Sequence, residues 1–334
     1  MDEMGEIKVI NNVPGISANS LPKSVKIIRR KRVSSAKPAQ VSSEKVIEAK
    51  LEEQSEEEGP TPIPEQKPQP TYLAKKNAHE RDQYISFDEG PHVYTVHGES
   101  DYTSVTTWNH MLFSQFNEEA QIKKIVGNKK WRTDPTYKYY QKTAQEIKDM
   151  WETNRVASST AGTNLHFNIE CFYNQIPVEN DSIEYQYFLK FVEDYPELEA
   201  YRTEWCVFDQ ELKLSGSIDM VFRDKNTGEF LIYDWKRSKE IDYESYGNKT
   251  SHVECISHLP NCNFWTYSLQ LNTYRYILEK NYGFKISGMY LIRIHPDNPY
   301  ETYDRIEVHD LRKEIEDLAD FRRKLLKGEV QLSH

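Results

Sequence analysis

Residues 212–238, LKLSGSIDMVFRD-KNTG-EFLIYDWKRS, constrain this chain more than any other stretch. Both halves are rich in β-branched and aromatic residues. The turn residues Lys225-Asn226-Thr227-Gly228 lie between them, so the segment reads as a β-hairpin. Asp234 follows the apolar Ile232-Tyr233 and therefore emerges from a buried strand. Asp219 sits on the first strand. Asp234 and Lys236 are two residues apart on the second, so their side chains share a face.

The surrounding pattern supplies the rest of a sheet and its cover. YRTEWCVFDQ, ISGMYLIRIHP and YDRIEVHD read as strands. SIEYQYFLKFVEDYP, WTYSLQLNTYRYILEKNYG and LRKEIEDLADFRRKLLKG carry helical periodicity, the second stopped by Gly283. Upstream, YISFDEG and PHVYTVHGE read as a hairpin closed at Gly98. Residues 108–160 read as helical with Pro135 opening or adjusting one helix. Ser158, Ser159 or Thr160 is expected to cap another helix running to Tyr173. The expected class is α/β (α+β), a central mixed sheet flanked by helices, over residues 81–328.

Residues 1–80 differ in kind. A basic run (Lys23 to Arg32) precedes the acidic LEEQSEEEG and the proline-rich TPIPEQKPQP. Such a segment lacks the apolar area to repay ordering, so a disordered tail is expected. The basic run is open to reading as a nuclear-import signal, a DNA-contacting arm or a solubilising tail.

Two acids and a lysine converging at a strand end suit a hard divalent cation and the chemistry of a phosphate. Glu204, on the preceding strand, can complete the acidic cluster. His166, on the helix after Gly162-Thr163, offers an imidazole ligand, with Glu170 one turn later. Gln270 and Tyr274 share one face of a helix behind the cluster. His252, Cys255, His258 and Cys262 have the density of a zinc site, but Pro260-Asn261 breaks the pattern, and a covering loop is the preferred reading.

In order, GTxxH, Glu204, GSID, DWK and QLxxY resemble the PD-(D/E)XK nuclease superfamily, and within it the RecB-like exonuclease branch with its mitochondrial and large-DNA-virus members. The resemblance spans roughly residues 84–325. It implies a restriction-endonuclease-like core and Mg²⁺- or Mn²⁺-dependent hydrolysis of DNA phosphodiesters. It implies His166, Asp219, Asp234 and the Trp235 backbone carbonyl as metal ligands, and Lys236 as the catalytic lysine. Gln270 and Tyr274 become the supporting helix motif and Glu204 an auxiliary acid. The cysteine set of the iron–sulfur members is missing, so no such cluster is expected.

Composition narrows the partners. The 43 Lys and Arg against 53 Asp and Glu give a net charge of -10, which excludes coating nucleic acid by bulk charge. A local patch, Lys123, Lys124, Lys129, Lys130 and Arg132, remains a candidate for guiding a DNA strand. The nearby rings of Trp131, Tyr137, Tyr139, Tyr140 and Trp151 are core by default, with one or two expected to stack on bases. A reducing, intracellular setting, nucleus or cytoplasm (or a virus's host cell), is expected. The four scattered cysteines follow no secretory signal, and no apolar run is long enough to span a bilayer. DNA with a free end is the expected partner, within replication, repair or packaging; an endonuclease or a non-catalytic scaffold are the rivals.

Overall fold

The computed structural model describes residues 27–28 and 69–332. The rest of the expected tail, including most of its basic run and all of its acidic cluster, lies outside the described residues. Described elements in chain order are β1 (Ile27–Ile28), α1 (Tyr72–Lys76), β2 (Ile85–Asp88), β3 (Val93–Val96) and β4 (Thr103–Ser104). Next come α2 (Val105–Met111), α3 (Glu118–Gly127), α4 (Lys129–Thr133), α5 (Ala144–Tyr173), α6 (Ile183–Asp194), β5 (Leu198–Asp209), β6 (Leu214–Asp224) and β7 (Phe230–Lys236). The chain continues through α7 (Asn263–Asn281), β8 (Ile286–Arg293), β9 (Asp304–Glu307) and α8 (Arg312–Leu326).

Seven strands form one mixed sheet in the order β1-β9-β8-β7-β6-β4, with β5 along the other edge of β6. The β7–β8 and β4–β6 pairs are parallel and the remainder antiparallel. Alternation on the central strands divides the core. Val221, Ile232 and Leu291 join the cluster under α2, α7 and α8, whereas Met220, Phe222, Tyr233, Trp235 and Ile292 pack beneath α5 and α6. Both faces are thus covered, and the chain has the expected α/β architecture, a mixed sheet flanked by helices in the restriction-endonuclease-like arrangement.

Several local expectations are corrected. The β2–β3 hairpin turns at Glu89–His92, while Gly98, at φ +84°, closes a separate bridge between Val96 and Glu99. Pro135 opens no helix; it lies in turns between α4 and α5. Thr143 starts α5 instead, through a capping box in which its hydroxyl accepts from the Glu146 N–H and Glu146 bonds back to the Thr143 N–H. Ser158, Ser159 and Thr160 are not caps, because α5 runs through them unbroken for 30 residues. Before residue 81, α1 already lies on the core: Leu73 is buried, its N–H donating to Asn174 Oδ1.

Helix α5 is about 45 Å long at 1.5 Å per residue. Its start packs through Ile147 against Ile122 and Ile125, and its end through Leu165 and Ile169 against the sheet. Between them, residues 152–160 are exposed on every side of the helix. No helix among the described residues is long and apolar enough to cross a membrane.

Candidate metal centre and its lysine

The site lies where β6 and β7 part. Their ladder runs from Arg223↔Phe230 to Met220↔Tyr233 and stops. Two residues past Tyr233, the Trp235 N–H donates instead to the side chain of Asp219, the residue next to Met220 (Oδ2, 2.9 Å). The separation of the strands leaves room for a carboxylate to replace a main-chain acceptor. Trp235 is fixed by its ring, buried edge-on against Phe188 and Phe191 of α6.

Glu204 reaches the same place by a strained backbone. It has φ +41° in mid-strand, and it drops out of pairing between Thr203↔Met220 and Trp205↔Ile218. A left-handed conformation costs a non-glycine residue about 1–2 kcal/mol, and such outliers cluster at functional sites. Ser217 then orients the carboxylate, its hydroxyl donating to Glu204 Oε2 at 2.8 Å.

His166 comes from the far end of α5. Its Nε2 makes a 2.9 Å hydrogen bond to the Trp235 carbonyl, while Nδ1 stands 3.6 Å from Asp219 Oδ2 and 3.7 Å from Glu204 Oε1. His166, Glu204 and Asp219 each offer a ligand atom within 4.8 Å of the others. Burial pulls the imidazole's pKa down, but Asp219 and Glu204 outweigh it and hold it at about 9. Burial, with Glu204 and Glu89 nearby, pushes Glu170 up to about 8.

Asp234 and Lys236 stand beside this trio on β7. Lys236 Nζ pairs with Asp234 Oδ2 at 2.7 Å, with the two side chains 17% and 3% exposed, so the pair is shielded from water. Burial and the neighbouring Asp219 push the carboxyl of Asp234 up, and burial likewise raises Asp219. Burial alone would lower Lys236; Asp234 and Asp219 overcome it and raise the ammonium's pKa. The Asp234 oxygen is buried with no hydrogen bond beyond this ion pair, which leaves it capacity for a cation. A set of carboxylates with one imidazole fits Mg²⁺ or Mn²⁺.

Gln270 and Tyr274 are both buried on α7, and the Gln270 side chain bonds the Tyr274 hydroxyl. Tyr274 lies against Gly216, where a Cβ would come within 2.7 Å of its hydroxyl oxygen. That close approach explains the glycine of GSID. Sequence reasoning missed Tyr94, on β3, which is buried with its hydroxyl against the Ser217 backbone and the field of Glu204 and Asp219. Nothing in a short aromatic strand signalled it. Ser217 was visible inside GSID but had no role until Glu204 was placed.

Other candidate groups go elsewhere. His258 pairs with Glu314 (3.3 Å), Cys255 packs on the main core, and Cys262 precedes α7 as its N-cap. Trp131, Tyr137, Tyr139 and Trp151 surround Ile122, Ile125 and Ile147 as a small core, with the Trp131 and Trp151 indoles donating to Lys142 O and Tyr139 Oη. Lys123, Lys124, Lys129, Lys130 and Arg132 are all exposed.

Strands that diverge to admit two acids and a lysine, with a histidine from a flanking helix, form a candidate metal-binding centre of the kind a metal-dependent nuclease uses. Residues 175–333 match the sequence profile of the PD-(D/E)XK nuclease superfamily. His166 lies ahead of the matched segment and joins the site through the fold. No curated protein matches the chain.

Proposed function

We propose that this protein is a divalent-metal-dependent deoxyribonuclease of the RecB-like branch that degrades DNA from a free end. The observation that carries the reading is the convergence of His166, Glu204 and Asp219 beside the buried Asp234–Lys236 pair. His166, Asp219, Asp234 and the Trp235 carbonyl would hold Mg²⁺ or Mn²⁺, with Glu204 as an auxiliary acid. Such an ion, when bound, supplies an activated water and offsets charge on the leaving oxygen.

The chain's own groups do the positioning. Ser217 aims Glu204, and the Trp235 N–H fixes Asp219. Lys236 presents positive charge toward phosphate oxygens that gain charge as the bond breaks. Gln270 and Tyr274 form the floor beneath β6. The exposed lysines of α3 and α4 offer a path for the strand. The bare span of α5 favours entry by an end, since a strand passing beneath a helix held at both ends must be threaded. This reading places the protein in the nucleus or cytoplasm, in replication, repair or packaging.

The test incubates wild type, Asp234→Asn and Lys236→Met with end-labelled linear single- and double-stranded DNA and with closed circles, in Mg²⁺, Mn²⁺ or EDTA. Metal-dependent loss of linear DNA by wild type alone, with circles spared, is the expected result. Cut circles would make the protein an endonuclease. Binding without cleavage of DNA or RNA would make it a scaffold.

A further inference from the structure

The neighbours of Lys236 are not all acids. Besides Asp234, its ammonium sits 4.4 Å from the centroid of the Tyr267 ring. Tyr267 lies on α7 one turn before Gln270, partly buried and packed on the main core, so the ring's position is set by the helix. Asp234 is also a ligand candidate, and a carboxylate oxygen committed to a cation attracts a nearby ammonium less. A cation beside the ammonium also repels it. An aromatic face attracts through its quadrupole, which no metal ligand consumes.

We infer that Tyr267 is a positioning residue whose ring face holds the Lys236 ammonium at the reacting phosphate when Asp234 is engaged elsewhere. The ring, not the hydroxyl, performs this role. Tyr267 touches neither metal nor substrate in this scheme. It acts through Lys236, so its removal slows the chemical step without weakening the binding of metal or DNA. This inference rests on the nuclease reading for its kinetic consequence but not for its geometry.

The experiment compares Tyr267→Phe and Tyr267→Leu in the full chain. Tyr267→Phe keeps the ring and is expected to hold kcat within about twofold, whereas Tyr267→Leu loses about tenfold, the worth of a partly buried cation–π contact. KM for DNA and the Mn²⁺ dissociation constant stay unchanged in both. An equal loss in the two variants would assign the role to the hydroxyl and overturn the proposal. So would a leucine variant as fast as wild type, or a loss confined to KM or metal affinity. A second readout needs no activity: the ε-methylene protons of Lys236, assigned by their absence in Lys236→Met, are shifted upfield by the ring current. The shift persists in Tyr267→Phe and disappears in Tyr267→Leu. Unshifted protons in wild type would refute the contact, whereas shifted protons in an inactive wild type would refute the nuclease reading alone.

Discussion

At the scale of single residues, the site is assembled against local preference, and that is what makes it measurable. Glu204 holds a left-handed conformation in a strand. A glycine there meets no steric penalty but loses some unfolded-state entropy. Glu204→Gly is therefore expected to be more stable than Glu204→Ala by roughly 0.5–1 kcal/mol, while both lose metal affinity. Urea denaturation in EDTA and titration calorimetry with Mn²⁺ check the two halves; equal stabilities would mean the conformation is not strained. The Asp234–Lys236 pair gives a second case. Lys236→Met strands a buried carboxylate and is expected to cost about 3 kcal/mol, most of it recovered when Asp234→Asn is added. Strict additivity in that double-mutant cycle would show that the two side chains do not interact in solution. These contacts explain why the acids and the lysine could be picked out from sequence: a charge inside an apolar strand needs a partner, and the neighbours at two-residue spacing supply it. The strained backbone of Glu204 and the burial of Tyr94 depend on how β5 and β3 are laid against β6, and no local pattern encodes that.

Between elements, the closest fit is α7 on β6. Tyr274 occupies the space a side chain at position 216 would need. Gly216→Ala is therefore expected to destabilise the fold by about 1–3 kcal/mol and to lower activity by displacing Tyr274; a thermal melt at unchanged activity would separate the two effects. The β5–β6 turn is fastened to α7 and α8 by charge. Glu211 meets Arg323 at 2.5 Å and Lys280 at 2.6 Å, and these partners, Arg323 first, lower its carboxyl from 4.5 to about 2. A depressed carboxyl pKa stabilises the fold above the unfolded value and loses that contribution as pH falls through the folded one. The gap in stability between wild type and Glu211→Gln is thus expected above pH 5, below about 1 kcal/mol at this half-exposed position, closing by pH 2. A gap independent of pH would refute it. Strands rich in β-branched and aromatic residues between turn signals, β5 to β9, were legible from sequence, as were α6, α7 and α8. α5 was not, because Ser158-Ser159-Thr160 imitates a cap. Those residues stay helical where nothing crowds them and no proline or turn intervenes, and only tertiary contacts at both ends show that the helix continues.

Across the whole molecule, α5 links two bodies of core: the small cluster around Ile122, Ile125 and Ile147, and the sheet that carries the candidate metal centre. His166 lies in the part of α5 that enters the second. The nine residues between, 152–160, have no tertiary cover, and helix of that length without packing is marginal in water. Their helicity is borrowed from the anchored ends. Amide exchange should report this directly. In the free protein, residues 152–160 are expected to exchange far faster than residues 165–172 of the same helix, and than β6 and β7. Adding a short single-stranded oligonucleotide in Ca²⁺, chosen to occupy a hard-cation site without the smaller ion's octahedral geometry, is expected to slow exchange in the bare span while leaving the strands unchanged. The same strand closed into a circle should give no such protection, because it has no end to pass beneath the helix. Uniform protection along α5 before addition would mean the span is covered in solution. Equal protection by circle and linear strand would mean that DNA lies across the helix rather than under it, and the preference for a free end would then have no basis in the fold.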